Sequence, residues 1–308
     1  MFTKRKLAHG EILLALALWG VGLMGAALGC PAIRQWLYFF AWYPLILMLD
    51  GLLFRLKGTS WLLDRPRGLL KMGFWSVTVW LVFEAVNLVL KNWGYAGVIP
   101  NPWVRWPGYA LAFATVLPGV LLGAEVLAGL GAWRGVRGRS VKLPVAWEPL
   151  ALLLGTACLV LPLIWPNYFF PLVWGAGFFL LDPFVKLLGG RSLIQAWLDG
   201  ERREHLCLLA AGLFCGIWWE AWNYGATAKW VYTLPVLNFG KVFEMPFLGY
   251  LGFPPFALEC AVMYNFMKVL DERVLVTTRR WGYAIVFHLA FWIIMFPALD
   301  AWTVMSFQ

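Results

Sequence analysis

Trp36-Leu37-Tyr38-Phe39-Phe40-Ala41-Trp42, followed by Leu49-Asp50, returns along the chain as Tyr168-Phe169-Phe170, Trp174 and Leu181-Asp182. In both places the tryptophan stands eight residues before the aspartate. Glu84-Ala85-Val86-Asn87 returns as Glu220-Ala221-Trp222-Asn223, and Trp93-Gly94-Tyr95 as Trp230-Val231-Tyr232. The offset drifts only from 130 to 137 residues, which a tandem duplication explains. Both copies lie in long apolar runs, and duplicated membrane halves place their sites where the halves meet.

The 308 residues are 62% hydrophobic and 13% charged, with 21 Trp. A water-soluble domain of this length has no use for that much apolar surface. The net charge of +9 then reads as a topology signal and as contact with lipid headgroups, not as nucleic-acid binding. None of the five Cys forms a CxxC pair, and the three His do not offer two facing ligands at similar depth for a haem. No metal site and no cofactor is expected.

A spanning helix needs about 20 mainly apolar residues. Such runs fall near 11–30, 34–54, 72–91, 108–130, 147–165, 168–187, 206–226, 246–267 and 281–303. Lys4-Arg5-Lys6 and the apolar run up to Cys30 imitate a signal peptide. The run is too long for one and reads as an uncleaved first helix. The expected fold is all-α: a polytopic transmembrane bundle of about nine helices, a tandem parallel repeat of four helices plus a final helix. Its divisions are 1–140, 141–270 and 271–308. With the N-terminus in the cytoplasm, all but five of the 25 Lys and Arg fall in cytoplasmic segments; the exceptions are Arg34, Lys91, Arg105, Lys229 and Lys241. That asymmetry predicts a bacterial inner-membrane protein with its C-terminus outside.

Most acidic residues sit near the cytoplasmic ends. Asp50 and Asp182 have Lys57 and Lys186 close by in sequence, so ion pairing is expected there. Glu84, Glu220 and Glu259 lie well inside apolar runs. A charge at that depth costs about 2.5–3.5 kcal/mol on insertion scales, so these residues face the bundle and are the candidate catalytic groups. In Glu84-x-x-Asn87 and Glu220-x-x-Asn223 the polar groups share one helix face. Asn87 and Asn223 either hold a ligand or tie helices together. Trp219, Trp222 and Tyr232 are candidate walls of a pocket for a flat apolar ligand, and Glu244 adds a further polar group. Pro254-Pro255, placed inside the 246–267 span, is expected to break it. The aromatic joins at 92–107 and 227–245 form either a lid over the outer end or an interfacial belt.

Trp219-Glu220, Lys229-Trp230-Val231-Tyr232, Glu244-Met245-Pro246, Pro254-Pro255 and Glu259 together resemble the small membrane-embedded lycopene cyclases. Those repeat a short bundle with a Trp-acid pair, a Gly-x-Trp segment and a Pro-x-Glu-Glu motif. The likeness covers about fifty residues of the second copy, and more weakly Phe83-Glu84 with Trp93-Gly94-Tyr95. It lacks the Glu-Glu pair and has four helices per copy where the family has three. The resemblance implies proton-initiated cyclisation of a polyene, with Glu220 and either Glu259 or Glu244 as acids. Three functions follow as expectations: an enzyme doing acid-catalysed chemistry on a lipophilic, isoprenoid-like substrate; a transporter; and a non-catalytic subunit of a larger membrane complex. The expected partners are the bilayer, a hydrophobic small molecule or other membrane subunits.

Overall fold

The structure is a computed structural model that describes every residue except Met1, Pro144, Val145 and Leu237. Its main helices are α1 (Phe2–Ala27), α2 (Leu37–Lys57), α3 (Pro66–Leu90), α4 (Pro102–Phe113), α5 (Val116–Gly129), α6 (Glu148–Ile164), α7 (Ala176–Leu187), α8 (Arg203–Gly225), α9 (Phe253–Arg273) and α10 (Thr278–Trp302). Two small sheets pair β1 (Trp93–Ala96) with β2 (Lys229–Tyr232), and β3 (Lys241–Val242) with β4 (Met245–Pro246). Among the described residues eight helical segments are long and apolar enough to cross a membrane. Helices α4 and α5 form one of them, and α7 and α9 are each extended by a preceding 3-10 turn. The chain is an all-α helical bundle and an integral membrane protein.

Helix α6, with 17 residues, falls just short of those eight. It spans about 25 Å at 1.5 Å per residue. It packs as an antiparallel hairpin on α7: Glu148 at its start meets Lys186 near the end of α7 at 2.7 Å. The turn of that hairpin lies at Trp165–Pro166.

The two halves use the same pairings. Helix α1 packs on α2 as α6 packs on α7; α2 packs on α5 as α7 packs on α9; α3 packs on α5 as α8 packs on α9. Lipid supplies no hydrophobic drive between helices, so close backbone approach has to hold them. Small residues allow it: a Cβ on Gly119 of α5 would stand 2.7 Å from the Trp42 ring, and one on Gly212 of α8 would stand 2.7 Å from Ala257. Helix α5 also packs along α8, which joins the halves.

Helix α3 orients the molecule. Lys4 pairs with Asp64, just before α3 begins. The chain end pairs with β1, just after α3 ends: Met305 donates its N–H to the Tyr95 carbonyl at 2.6 Å, and Gln308 to that of Val98 at 3.0 Å. The two termini therefore lie at opposite ends of a 25-residue helix.

Several sequence expectations change. Asp50 and Asp182 do not pair with Lys57 and Lys186. Asp50 is buried and accepts from the Ser60 hydroxyl and from the Trp61 and Leu62 N–H groups, the latter at 2.6 and 3.1 Å. Asp182 accepts from Ser192, Leu193 and Ile194 in the same order. In each half the serine in turn caps a short helix, Trp61–Asp64 or Leu193–Leu198. A buried carboxylate satisfied by three donors needs no cation. Pro254 and Pro255 do not interrupt a helix. They open α9, where the missing N–H leaves no bond unmade.

Candidate functional site

Glu84 closes the inner face of α3 and is fully buried. Its Oε1 accepts from Trp80 Nε1 at 2.9 Å, from Trp93 Nε1 at 3.0 Å and from the Tyr95 hydroxyl. Glu220 on α8, equally buried, accepts through Oε1 from Trp230 Nε1 at 3.2 Å and from the Tyr232 hydroxyl at 2.7 Å. Trp93 and Tyr95 match Trp230 and Tyr232 at an offset of 137 residues, one more than the 136 between the two Glu. In both cages the second carboxyl oxygen, Oε2, is buried and has no partner among the described residues.

The asparagine three residues on fixes the strand that carries these donors. Asn223 Oδ1 accepts the Trp230 N–H at 3.0 Å, and its Nδ2 donates to the Trp230 carbonyl at 2.9 Å. Asn87 does the same for β1: Oδ1 accepts from Asn92 N at 2.9 Å, and Nδ2 donates to the Trp93 carbonyl at 2.9 Å. These amides are used on backbone and hold the Glu donors in place; they do not present themselves to a ligand.

Strands β1 and β2 then pair antiparallel, Trp93 opposite Tyr232 and Tyr95 opposite Trp230. The register centres on Gly94 opposite Val231, so the Trp of each strand faces the Tyr of the other. The joins therefore fold inward over the bundle end, with Trp93 and Tyr95 each 8% exposed.

A cavity of about 90 Å3 opens beside this sheet. Trp80, Trp93, Tyr95, Trp219, Trp230 and Tyr232 line it, so the donors to both carboxylates form its wall. Trp219 is the hub of that wall. Its ring lies 5.0 Å from Trp80, 5.3 Å from Trp230 and 5.4 Å from Trp42. Behind it a second cavity of about 110 Å3 shares Trp80, Tyr95, Trp219 and Trp230. The carboxyl groups stand behind the rings, one hydrogen bond from the cavity. Burial pushes the Tyr95 and Tyr232 phenols well above their ordinary value, and the neighbouring Glu charge acts in the same direction.

The remaining candidates stand elsewhere. Glu259, in α9, accepts the Gly177 N–H at 2.5 Å. It thereby caps the start of α7, and no hydrogen bond joins it to Glu84 or Glu220 among the described residues. Trp222 lies tilted against Trp218, with ring centroids 5.6 Å apart, and faces α1, away from the cavity. Glu244 pairs with Lys229 at 2.7 Å and ties β2 to the segment before β4. Trp93, Tyr95 and Trp80 were absent from the sequence-derived site. Trp93 and Tyr95 carried the signal, since they form the repeated Trp-x-Tyr, but nothing in the sequence shows that they turn back onto Glu84. Trp80, four residues before Glu84, shares its helix face.

No family model matches the chain, and neither a curated protein nor a solved structure shows detectable similarity to it.

Proposed function

We propose that the chain binds the end of a lipophilic, isoprenoid-like molecule in the aromatic cavity and moves protons there through two carboxyl–phenol pairs, Glu84–Tyr95 and Glu220–Tyr232. The observation that carries this reading is the doubled cage: two buried carboxylates, each one phenol away from the same tryptophan-lined space. While the carboxylate is ionised, the tyrosine donates to it and turns its lone pairs to the cavity, ready to accept a proton. Once the carboxyl is protonated, the same contact reverses polarity and the phenol O–H points inward, ready to give one. A cation formed by protonating a double bond would sit between indole faces, which attract positive charge. A space of about 90 Å3 is well below the roughly 300–1,000 Å3 of sites that enclose a whole small molecule, so it takes the tip of a chain and not its length.

The basic residues of 4–6, 55–71, 134–142, 186–203 and 268–280 support an inner-membrane protein with a cytoplasmic N-terminus, an external C-terminus and the aromatic site in the outer half. The matching hydrogen-bond sets at 50/60 and 182/192, and at 84/95 and 220/232, support a duplicated unit with both copies in the same orientation.

The test is expression in a host that accumulates acyclic polyenes, with products separated by chromatography and mass spectrometry. An isomer of the host polyene should appear, and Glu220→Gln should lower its yield by about 100-fold, as losing a general acid does. An unchanged polyene profile with a well-folded protein would remove the catalytic reading. A second reading, a non-catalytic subunit, is favoured by the full use of Asn87 and Asn223 on backbone. It would then lead, with the cages serving as ties between the joins.

A further inference from the structure

We propose that a third, larger cavity at the opposite end of the bundle binds the phosphate headgroup of a membrane lipid. The cavity measures about 690 Å3, inside the roughly 300–1,000 Å3 range of small-molecule sites. It lies where the halves meet, between α5 of the first and α8 and α9 of the second. Lys57, Arg137, Arg191, Arg202 and Arg203 line it, against Glu125, Glu201 and Glu204, an excess of two cations.

The cations are not equally occupied. Arg191 is held by Glu201 at 2.6 Å and Glu204 at 2.8 Å. Arg203 donates to the Ala128 and Ala132 carbonyls at the end of α5, at 2.5 and 2.9 Å. Arg202 lies 3.8 Å over the Trp197 ring. Lys57 and Arg137 donate no side-chain hydrogen bond among the described residues, although both face the cavity. Fixed guanidinium groups, with two cations beside them whose donors make no side-chain hydrogen bond among the described residues, suit an acceptor-rich anion such as a phosphate ester.

The apolar wall decides between a free anion and a lipid. Leu121, Ala124, Leu208 and Ala261 form it, and they come from the packed faces of α5, α8 and α9. Inorganic phosphate gains nothing from such a wall, whereas the upper part of an acyl or prenyl chain does. Glu125 is engaged by Trp61 Nε1 at 3.0 Å and keeps the phosphate at the basic rim, with the chain below. Basic pockets between helices on the cytoplasmic side are where anionic headgroups settle. This site does not depend on the aromatic one.

The test measures binding to the full chain in uncharged detergent. The probes are dihexanoyl phosphatidic acid, dihexanoyl phosphatidylcholine and inorganic phosphate. Phosphatidic acid should bind at least tenfold more tightly than either of the others, and more weakly as salt rises. Lys57→Gln with Arg137→Gln should weaken it at least tenfold while the melting temperature holds. Inorganic phosphate binding as tightly as the lipid would reduce the site to one for free anions and overturn the proposal. Equal binding of phosphatidylcholine would also overturn it, as would a salt-independent affinity, which the unaltered chain reports even if the double variant fails to fold.

Discussion

Replacing Asp50 or Asp182 with alanine strands a serine hydroxyl and two backbone N–H groups inside the protein. Unmet donors of this kind, first bonded to a charge, cost about 2–4 kcal/mol together. We expect a loss of that size for each alanine in unfolding assays, nearly equal for the two sites, with Asp→Asn recovering part of it. At the aromatic site the phenols give a pH signature. The folded protein holds the Tyr95 and Tyr232 protons well above the ordinary value, while the unfolded chain releases them near pH 10. The raised value lies on the neutral form, so stability is fully present below about pH 10 and falls as pH rises past it. In an alkaline spectrophotometric titration, Tyr95→Phe with Tyr232→Phe should leave the amplitude below about pH 11 unchanged and should flatten the loss of stability above it. A smaller amplitude in the double variant would mean that the phenols are open to solvent.

At the scale of elements, the β1–β2 pair and the chain end form one unit. Gly94 has to be glycine because a Cβ there would stand 2.8 Å from the Thr303 carbonyl and 2.7 Å from Met305. Val231 occupies the matching place in β2, where no third strand lies among the described residues. Gly94→Val should therefore cost about 1–3 kcal/mol by overpacking and expose residues 303–308 to carboxypeptidase, whereas Val231→Ala should leave them protected. What could be read from the sequence follows the same grain. Glu84-x-x-Asn87 and Glu220-x-x-Asn223 were legible because helical spacing alone puts both groups on one face. The partners of Asp50 and Asp182 were not, because the serine lies ten residues on, across a turn, while a lysine lies nearer in sequence. Pro254-Pro255 misled because helix starts and helix breaks carry the same residues, and the preceding 3-10 turn at Phe247–Gly252 leaves no mark of its own. The basic cavity was illegible because its cations come from residues 57, 137, 191, 202 and 203, which only the packing of α5, α8 and α9 gathers.

For the whole molecule, the number of crossings decides which compartment each site faces. Eight spans would return the C-terminus to the side of the N-terminus, and nine would separate them. Length alone leaves α6 ambiguous: its 17 residues lie at the lower limit for a crossing. Packing favours a crossing. Lys4 is anchored to Asp64 just before α3, and the 303–308 strand to Tyr95 just after it, an arrangement that favours an odd number of passes between the termini. The Glu148–Lys186 pair puts the start of α6 level with the end of α7, as a full crossing requires. With positive-inside orientation, reporter fusions at 55–71 and 191–204 should read cytoplasmic, as should one at the N-terminus, and one after Gln308 should read external. A single-cysteine probe in the 98–101 join should label from outside only. If both termini read from one side, α6 does not cross. The aromatic cavity and the phosphate cavity would then lose their assignment to opposite leaflets, although each cage of hydrogen bonds would stand as described.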